Sequence, residues 1–114
     1  MRRGEIWLAR LGGDDAGGEP TQPVVVVSND GASAAAERLG RGVVTVVPVA
    51  ESSKAVYPFQ VYLPRGETGL RLNSKARAEQ VSSLDVRRLE RVVGVVPTGL
   101  MAELDTALRL HLAL

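Results

Sequence analysis

Gly42-Val-Val-Thr-Val-Val-Pro-Val-Ala-Glu-Ser-Ser-Lys-Ala-Val-Tyr-Pro-Phe-Gln-Val-Tyr-Leu-Pro64 is the stretch that decides how this chain folds. Val43 to Val49 is a β-branched run, apolar on both faces apart from Thr45. Such a strand has to be covered on each side, which places it at the centre of a sheet or barrel. Glu51-Ser52-Ser53-Lys54 follows as a polar loop, read either as a solvated connection or as a ligand-facing segment. Phe59, Val61 and Leu63 then alternate with Gln60 and Tyr62, the period-two pattern of a strand with one wet face.

On the N-terminal side, Glu5 to Arg10 reads as a first strand, with Ile6 and Leu8 on one face and Trp7 and Ala9 on the other. Gly12 to Pro20 is a glycine-rich loop without the Gly-Lys-Ser/Thr ending of a phosphate-cradling loop. Val24 to Val27 is a second doubly buried strand, started by Pro23, where no ladder donor is needed. Ser28-Asn29-Asp30-Gly31 is turn chemistry, after which Asp30 can cap a helix over Ala32 to Leu39 that Gly40 ends.

On the C-terminal side, Pro64 to Gly69 reads as a loop, and Arg77 to Leu84 as two short strands or one bent one. Arg91 to Val96 is a last strand, and Pro97-Thr98-Gly99 opens a terminal helix. Leu100, Leu104, Leu108 and Leu112 line one face of that helix, broadened by Met101 and Ala107. Short strands at close spacing with two helices predict a mainly β, α+β fold: a small, strongly bent antiparallel sheet or barrel. The 114 residues form one domain, 1–114, with neither repeat nor second unit.

Composition limits the chemistry. Aromatics are 4% of a chain that is 45% hydrophobic, so valine and leucine fill the interior. There is no cysteine, which excludes a disulfide scaffold or a thiol nucleophile and fits a reducing compartment. No apolar stretch reaches the roughly 18 residues a membrane helix needs, and Met1-Arg2-Arg3-Gly4-Glu5 leads into no signal core, so a soluble cytoplasmic protein is expected. His111 is the only histidine and lies among leucines, a packing or surface position. Zinc sites and Ser-His-Asp triads are thereby disfavoured, and any enzyme here works through arginine, carboxylate, hydroxyl or amide groups without metal or other cofactor. The net charge is +1, yet residues 65–91 carry seven basic side chains against four acidic. That excess is either a solvated face or a footprint for phosphate.

Several blocks in order resemble the MazF family, the toxin endoribonucleases of bacterial toxin–antitoxin pairs. They are Arg3 to Leu8, Pro23 to Asp30, Val46-Val47-Pro48, Tyr57 to Val61, Thr68-Gly69-Leu70, Ala78 to Leu84, and the terminal helix from Met101 to Leu112. The resemblance implies an SH3-like small barrel of the MazF/CcdB toxin type, with a short helix after strand 2 and a C-terminal helix. It also implies a homodimer with a groove for single-stranded RNA. The implied chemistry is metal-independent: a ribose 2′-hydroxyl attacks the adjacent phosphate, leaving a cyclic phosphate and a 5′-hydroxyl. A cognate antitoxin would inhibit by laying an acidic tail in the same groove. The RNA-contacting residues implied are Glu19, Gln22, Ser52, Ser53, Lys54, Glu79 and Gln80.

Two positions depart from the family pattern. The family carries arginine before the proline of the second strand, where this chain has Gln22 before Pro23. It carries threonine two residues beyond the Val-Pro of the central strand, where this chain has Ala50. Guanidinium offers a permanent charge and a donor fork suited to phosphate, whereas Gln22 keeps only an amide. Loss of one preorganised donor costs roughly 3–4 kcal/mol at an oxyanion site. Cleavage therefore requires that Gln22, Ser52 or Ser53 supply the hydrogen bonds and that another cation, Arg38, Arg41 or Lys54 among them, supply the charge. The alternative is an impaired member that holds RNA or antitoxin without efficient cleavage. A toxin of the same fold aimed at another target, such as a topoisomerase, finds no support in any residue.

Overall fold

The computed structural model describes residues 1–10, 20–52 and 55–114. Their elements run β1 (Glu5–Arg10), β2 (Thr21–Val26), α1 (Asp30–Leu39), β3 (Val43–Glu51), β4 (Gln60–Leu63), α2 (Arg65–Thr68), β5 (Ser74–Arg77), β6 (Ser82–Asp85), β7 (Leu89–Val95) and α3 (Thr98–Leu112). All pairings are antiparallel, in the order β4-β5-β3-β2-β1-β7, with β6 also on β3.

β3 is the hub. One edge pairs with β2 through Val46, Val47 and Pro48. The other edge is shared, with Val43 to Val46 against β6 and Val49 to Glu51 against β5. A nine-residue valine-rich strand is long enough to serve three partners, and its two apolar faces supply two cores. The first holds Ile6, Val25, Val47 and Val49 with Val61, Leu63, Ala76, Met101 and Leu104, inside the bend of the sheet. The second holds Ala9, Val24, Val44, Val46, Ala36 and Val86 on the outer face, under α1.

The fold is mainly β, and the sheet bends as a small barrel would without closing, since no ladder joins β4 to β7. Its two ends meet instead by contact. A Cβ added at Gly94 on β7 would lie 2.5 Å from the carbonyl oxygen of Thr68 on α2, so only glycine admits this approach.

Local details refine the sequence expectations. Asn29, not Asp30, caps α1, its Oδ1 accepting from the Ala32 N–H at 2.8 Å. Asp30 accepts from the backbone N–H of Arg3 at 2.6 Å. Gly40 ends the helix at φ 66°, as its position suggested. β2 starts two residues before Pro23, which pairs with Leu8 inside the ladder. Residues 65–68 form a helical turn rather than an irregular loop, held by Thr68 Oγ1 donating to the Pro64 carbonyl. Along α3 the buried residues are Met101, Leu104 and Ala107, while Leu112 is half exposed and His111 is exposed.

Candidate functional site

Pleating sends alternate side chains to opposite faces, so the register locates the site. Gln22 pairs with Ala9 on β1. Continuing the β2–β3 register beyond Val24 and Pro48 brings Gln22 opposite Ala50. Ala50 in turn pairs with Lys75 on β5, and Lys75 pairs with Tyr62 on β4. The next row carries Pro48, then Arg77 on β5, which pairs with Gln60. One outer patch therefore collects Gln22, Ala50, Lys75, Arg77, Gln60 and Tyr62. Neighbours in such rows lie about 5 Å apart at Cβ, within reach of one ligand group. Ser52 continues the same face, its backbone N–H donating to the Asn73 carbonyl at 3.0 Å.

Hydrogen bonds fix the patch. Gln22 Nε2 donates to the Val49 carbonyl at 3.1 Å, so its amide closes the end of the β2–β3 ladder and keeps its oxygen for other use. Gln60, expected on a wet face, is nearly buried. It earns burial by being satisfied at both ends: Oε1 accepts from the Tyr57 N–H at 3.2 Å, and Nε2 donates to Glu79 Oε2 at 2.8 Å. Glu79 sits on a 3₁₀ turn, Ala78–Gln80, that joins β5 to β6, and Gln80 beside it is exposed. Two buried polar atoms here have no partner among the described residues, Arg77 Nε and Glu79 Oε1. At the margin Tyr57 and Phe59 stack with ring centroids 5.5 Å apart, and Lys75 Nζ lies 5.9 Å over the Tyr57 ring.

Gln22, Ala50, Ser52, Glu79 and Gln80 thus fall at one end of the sheet, as the sequence suggested. Glu19, Ser53 and Lys54 lie outside the described residues. Arg38 and Arg41 do not belong to this end: they flank the start of β3, and Ala50 lies near its finish, seven residues beyond Val43 along an extended strand. Sequence reasoning missed Lys75 and Arg77, which bring positive charge to the face that Gln22 leaves neutral. Their signal was present in Ser74-Lys75-Ala76-Arg77, an alternating small/basic strand with one basic face. Among the described residues no three His, Asp or Glu side chains are placed to hold a metal ion, and no helix is long and apolar enough to cross a membrane.

The chain that carries this patch has clear relatives. Residues 2–112 match the family described as PemK-like, MazF-like toxin of type II toxin–antitoxin systems. The endoribonuclease MazF9 of Mycobacterium tuberculosis is 53% identical over 117 residues, covering 100% of this chain and 98% of that protein. A MazE–MazF structure from Deinococcus radiodurans aligns with a TM-score of 0.74 at 26% identity, covering 100% of this chain and 97% of the other. The Mycobacterium tuberculosis toxin MazF-mt6 shares the fold, with a TM-score of 0.75 at 20% identity over 96% of this chain and 97% of its own. A match spanning all but three residues, with a relative identical at more than half its positions, leaves one conclusion: the chain belongs to the PemK-like, MazF-like family of toxins from type II toxin–antitoxin systems.

Proposed function

We propose that this chain is a cytoplasmic endoribonuclease toxin that cuts single-stranded RNA as a homodimer, without metal or other cofactor. The 2′-hydroxyl attacks the adjacent phosphorus, the bond to the 5′-oxygen breaks, and a cyclic phosphate and a 5′-hydroxyl result. The observation that carries this reading is the placement of Arg77 and Lys75 on the face shared by Gln22, Ala50 and Ser52. The charge absent at position 22 is present two strands away. Arg77 holds the phosphate, with its Nε lacking a partner among the described residues, and Gln22 and Ser52 supply neutral hydrogen bonds. Glu79 receives the 2′-proton, one of its oxygens being fixed by Gln60 and the other without a partner among the described residues. Tyr57 and Tyr62, both well exposed, offer ring faces on which unpaired bases stack, and Gln80 reads a base edge. Glu19, Ser53 and Lys54 belong to the same RNA-contacting set. A cognate antitoxin with an acidic segment neutralises the toxin by occupying this basic face. The support from relatives is the name of MazF9, an endoribonuclease, and the Deinococcus radiodurans MazE–MazF complex.

The departures at Gln22 and Ala50 favour a second reading, a member that binds RNA and antitoxin but cuts poorly. The test separates the two. The purified protein, in excess chelator, should cut single-stranded RNA to products with 5′-hydroxyl ends. The variant Gln22→Arg/Ala50→Thr should then gain less than about tenfold. A silent parent, with activity gained on the order of 100- to 1000-fold in the variant, would establish the impaired reading instead.

A further inference from the structure

Cleavage by a 2′-hydroxyl involves two proton transfers, and Glu79 accounts for one of them. The 5′-oxygen departs as an alkoxide unless a donor protonates it, so a second group is required. The strand that carries Arg77 supplies one. β5 buries Ser74 and Ala76 on its inner face and turns Lys75 and Arg77, both half-buried, to the outer patch. Two residues along an extended strand set their backbones about 7 Å apart. Glu79 follows in the turn beyond Arg77, held to Gln60, the cross-strand partner of Arg77. Ammonium, guanidinium and carboxylate thus succeed one another along β5 and its turn.

Lys75 is also held in place. Its Nζ donates to the Ala55 carbonyl at 3.1 Å and lies over the Tyr57 ring. An ammonium has three N–H donors, so this bond fixes the group and leaves two. Its cross-strand partners are Ala50 on β3 and Tyr62 on β4. Ala50 is small, which leaves space beside the ammonium on the side of Gln22. Displacement at phosphorus needs the entering and leaving oxygens on opposite sides of it. With the phosphate on Arg77 and the 2′-oxygen toward Glu79, the 5′-oxygen points back along β5 to Lys75.

We infer that Lys75 is a catalytic residue whose ammonium protonates the departing 5′-oxygen. The inference rests on the RNA-cleaving reading above and deepens it. The Glu79 carboxylate takes the 2′-proton, and the freed electron pair forms the bond from oxygen to phosphorus. The bond from phosphorus to the 5′-oxygen breaks, and its electron pair takes a proton from Nζ. The products are the cyclic phosphate, the 5′-hydroxyl, a protonated Glu79 and a neutral Lys75. Passage of one proton from Glu79 to Lys75 through water restores both. Gln22 and Ala50 offer no acidic proton, so the role falls to the charged strand beside them.

The test replaces the departing oxygen by sulfur. The cut site of the full chain is first mapped on a long single-stranded RNA. A labelled oligonucleotide holding that site is then made in two forms, with oxygen or with sulfur joining phosphorus to the 5′-carbon. A thiolate leaves without help from an acid, because a thiol is far more acidic than an alcohol. Lys75→Met should cut the oxygen form about 100- to 10,000-fold more slowly than the parent, and the sulfur form within about tenfold of it. Lys75→Arg should keep a similar KM, because the charge is kept. It should still show the loss on oxygen and the recovery on sulfur, because guanidinium does not release its proton. Glu79→Gln should lose activity on both forms, since the 2′-hydroxyl still needs its base. The ratio of the two rates is internal to each variant, so an unfolded fraction does not alter it. If Lys75→Met loses equally on both forms, or on neither, Lys75 is not the acid and this inference alone is overturned. Recovery on sulfur by Tyr62→Phe in place of Lys75→Met would overturn it too, passing the role to the phenol. A parent that cuts no RNA in the mapping step removes the endoribonuclease reading and this inference with it.

Discussion

The two ends of β3 use the same valines to opposite effect. At its start, Val44 and Val46 pack with Ala36 and Val86, one edge is paired with β6, and α1 covers the face. Polar groups there are matched: the Thr45 carbonyl accepts from the N–H groups of Val27 and Ser28, and Ser28 Oγ accepts from the Thr45 N–H and bonds Ser33. At its finish, the ladder with β2 has run out, and a side-chain amide takes the place of a backbone donor. Arg77 Nε and Glu79 Oε1 stay buried there without partners among the described residues. Each buried, unmatched polar atom costs about 1–3 kcal/mol, more for a charged group. The closed end has its polar groups matched, and the open end leaves buried polar atoms unmatched among the described residues, as the proposed RNA-binding role requires.

That contrast is testable by substitution. The largest effect should come at the open end, where Arg77→Gln should lower RNA cleavage on the order of 100- to 1000-fold, measured by product formation on a labelled oligonucleotide. The melting midpoint should hold or rise, since no partner among the described residues is lost and an unmatched buried cation is removed. If instead the protein unfolds and cleavage by the folded fraction stays normal, the division between the two ends fails.

Next in size, Val47→Ala should lower stability by about 2–3 kcal/mol, because Val47 is fully buried and its methyl groups leave a void in the inner core. The melting midpoint should fall by roughly 10 °C, with cleavage per folded molecule largely kept. A large loss of cleavage without loss of stability would mean that the core itself takes part in the chemistry.

The smallest effect concerns acid stability at the closed end. The side chain of Arg87, and then its backbone N–H, hold the Asp85 carboxyl down at about 2, against an ordinary value of 3.8. A carboxyl depressed in the folded state contributes stability that is complete above its unfolded value and is lost as the pH falls through the folded one. Asp85→Asn should therefore narrow the loss of stability between about pH 4 and pH 2, read from acid melting curves. Because Asp85 faces solvent, the change should be slight and should fade at high salt. An unchanged acid curve at low salt would show that the pair adds nothing to stability.

Much of this arrangement was legible in the chain. Val43 to Val49 announced a central strand because β-branched residues on both faces have no stable place except between two covered layers. Ala32 to Leu39 announced a helix through its alanines and the Gly40 stop, although the cap fell on Asn29 and not on Asp30. Glu79-Gln80 was singled out only by the resemblance to the MazF family, not by any local pattern.

Other features could not be read. Gln60 looked like a solvent-facing residue by period two, and only the arrival of Tyr57 and Glu79 made its burial affordable. Arg38 and Arg41 stood out as candidate cations and Arg77 did not, since linear order does not tell which end of a strand a cation will reach.

The sequence by itself determined the strands, their apolar faces and the loss of charge at position 22, because side-chain periodicity and residue chemistry are local properties. Only the tertiary structure decided that Lys75 stands across from Ala50 with Arg77 one row along, and that Ala50, Arg71 and Arg91 line one cavity. Those neighbours come from ladder register and from the bend that brings β7 to Thr68, both set by contacts between residues far apart in the chain.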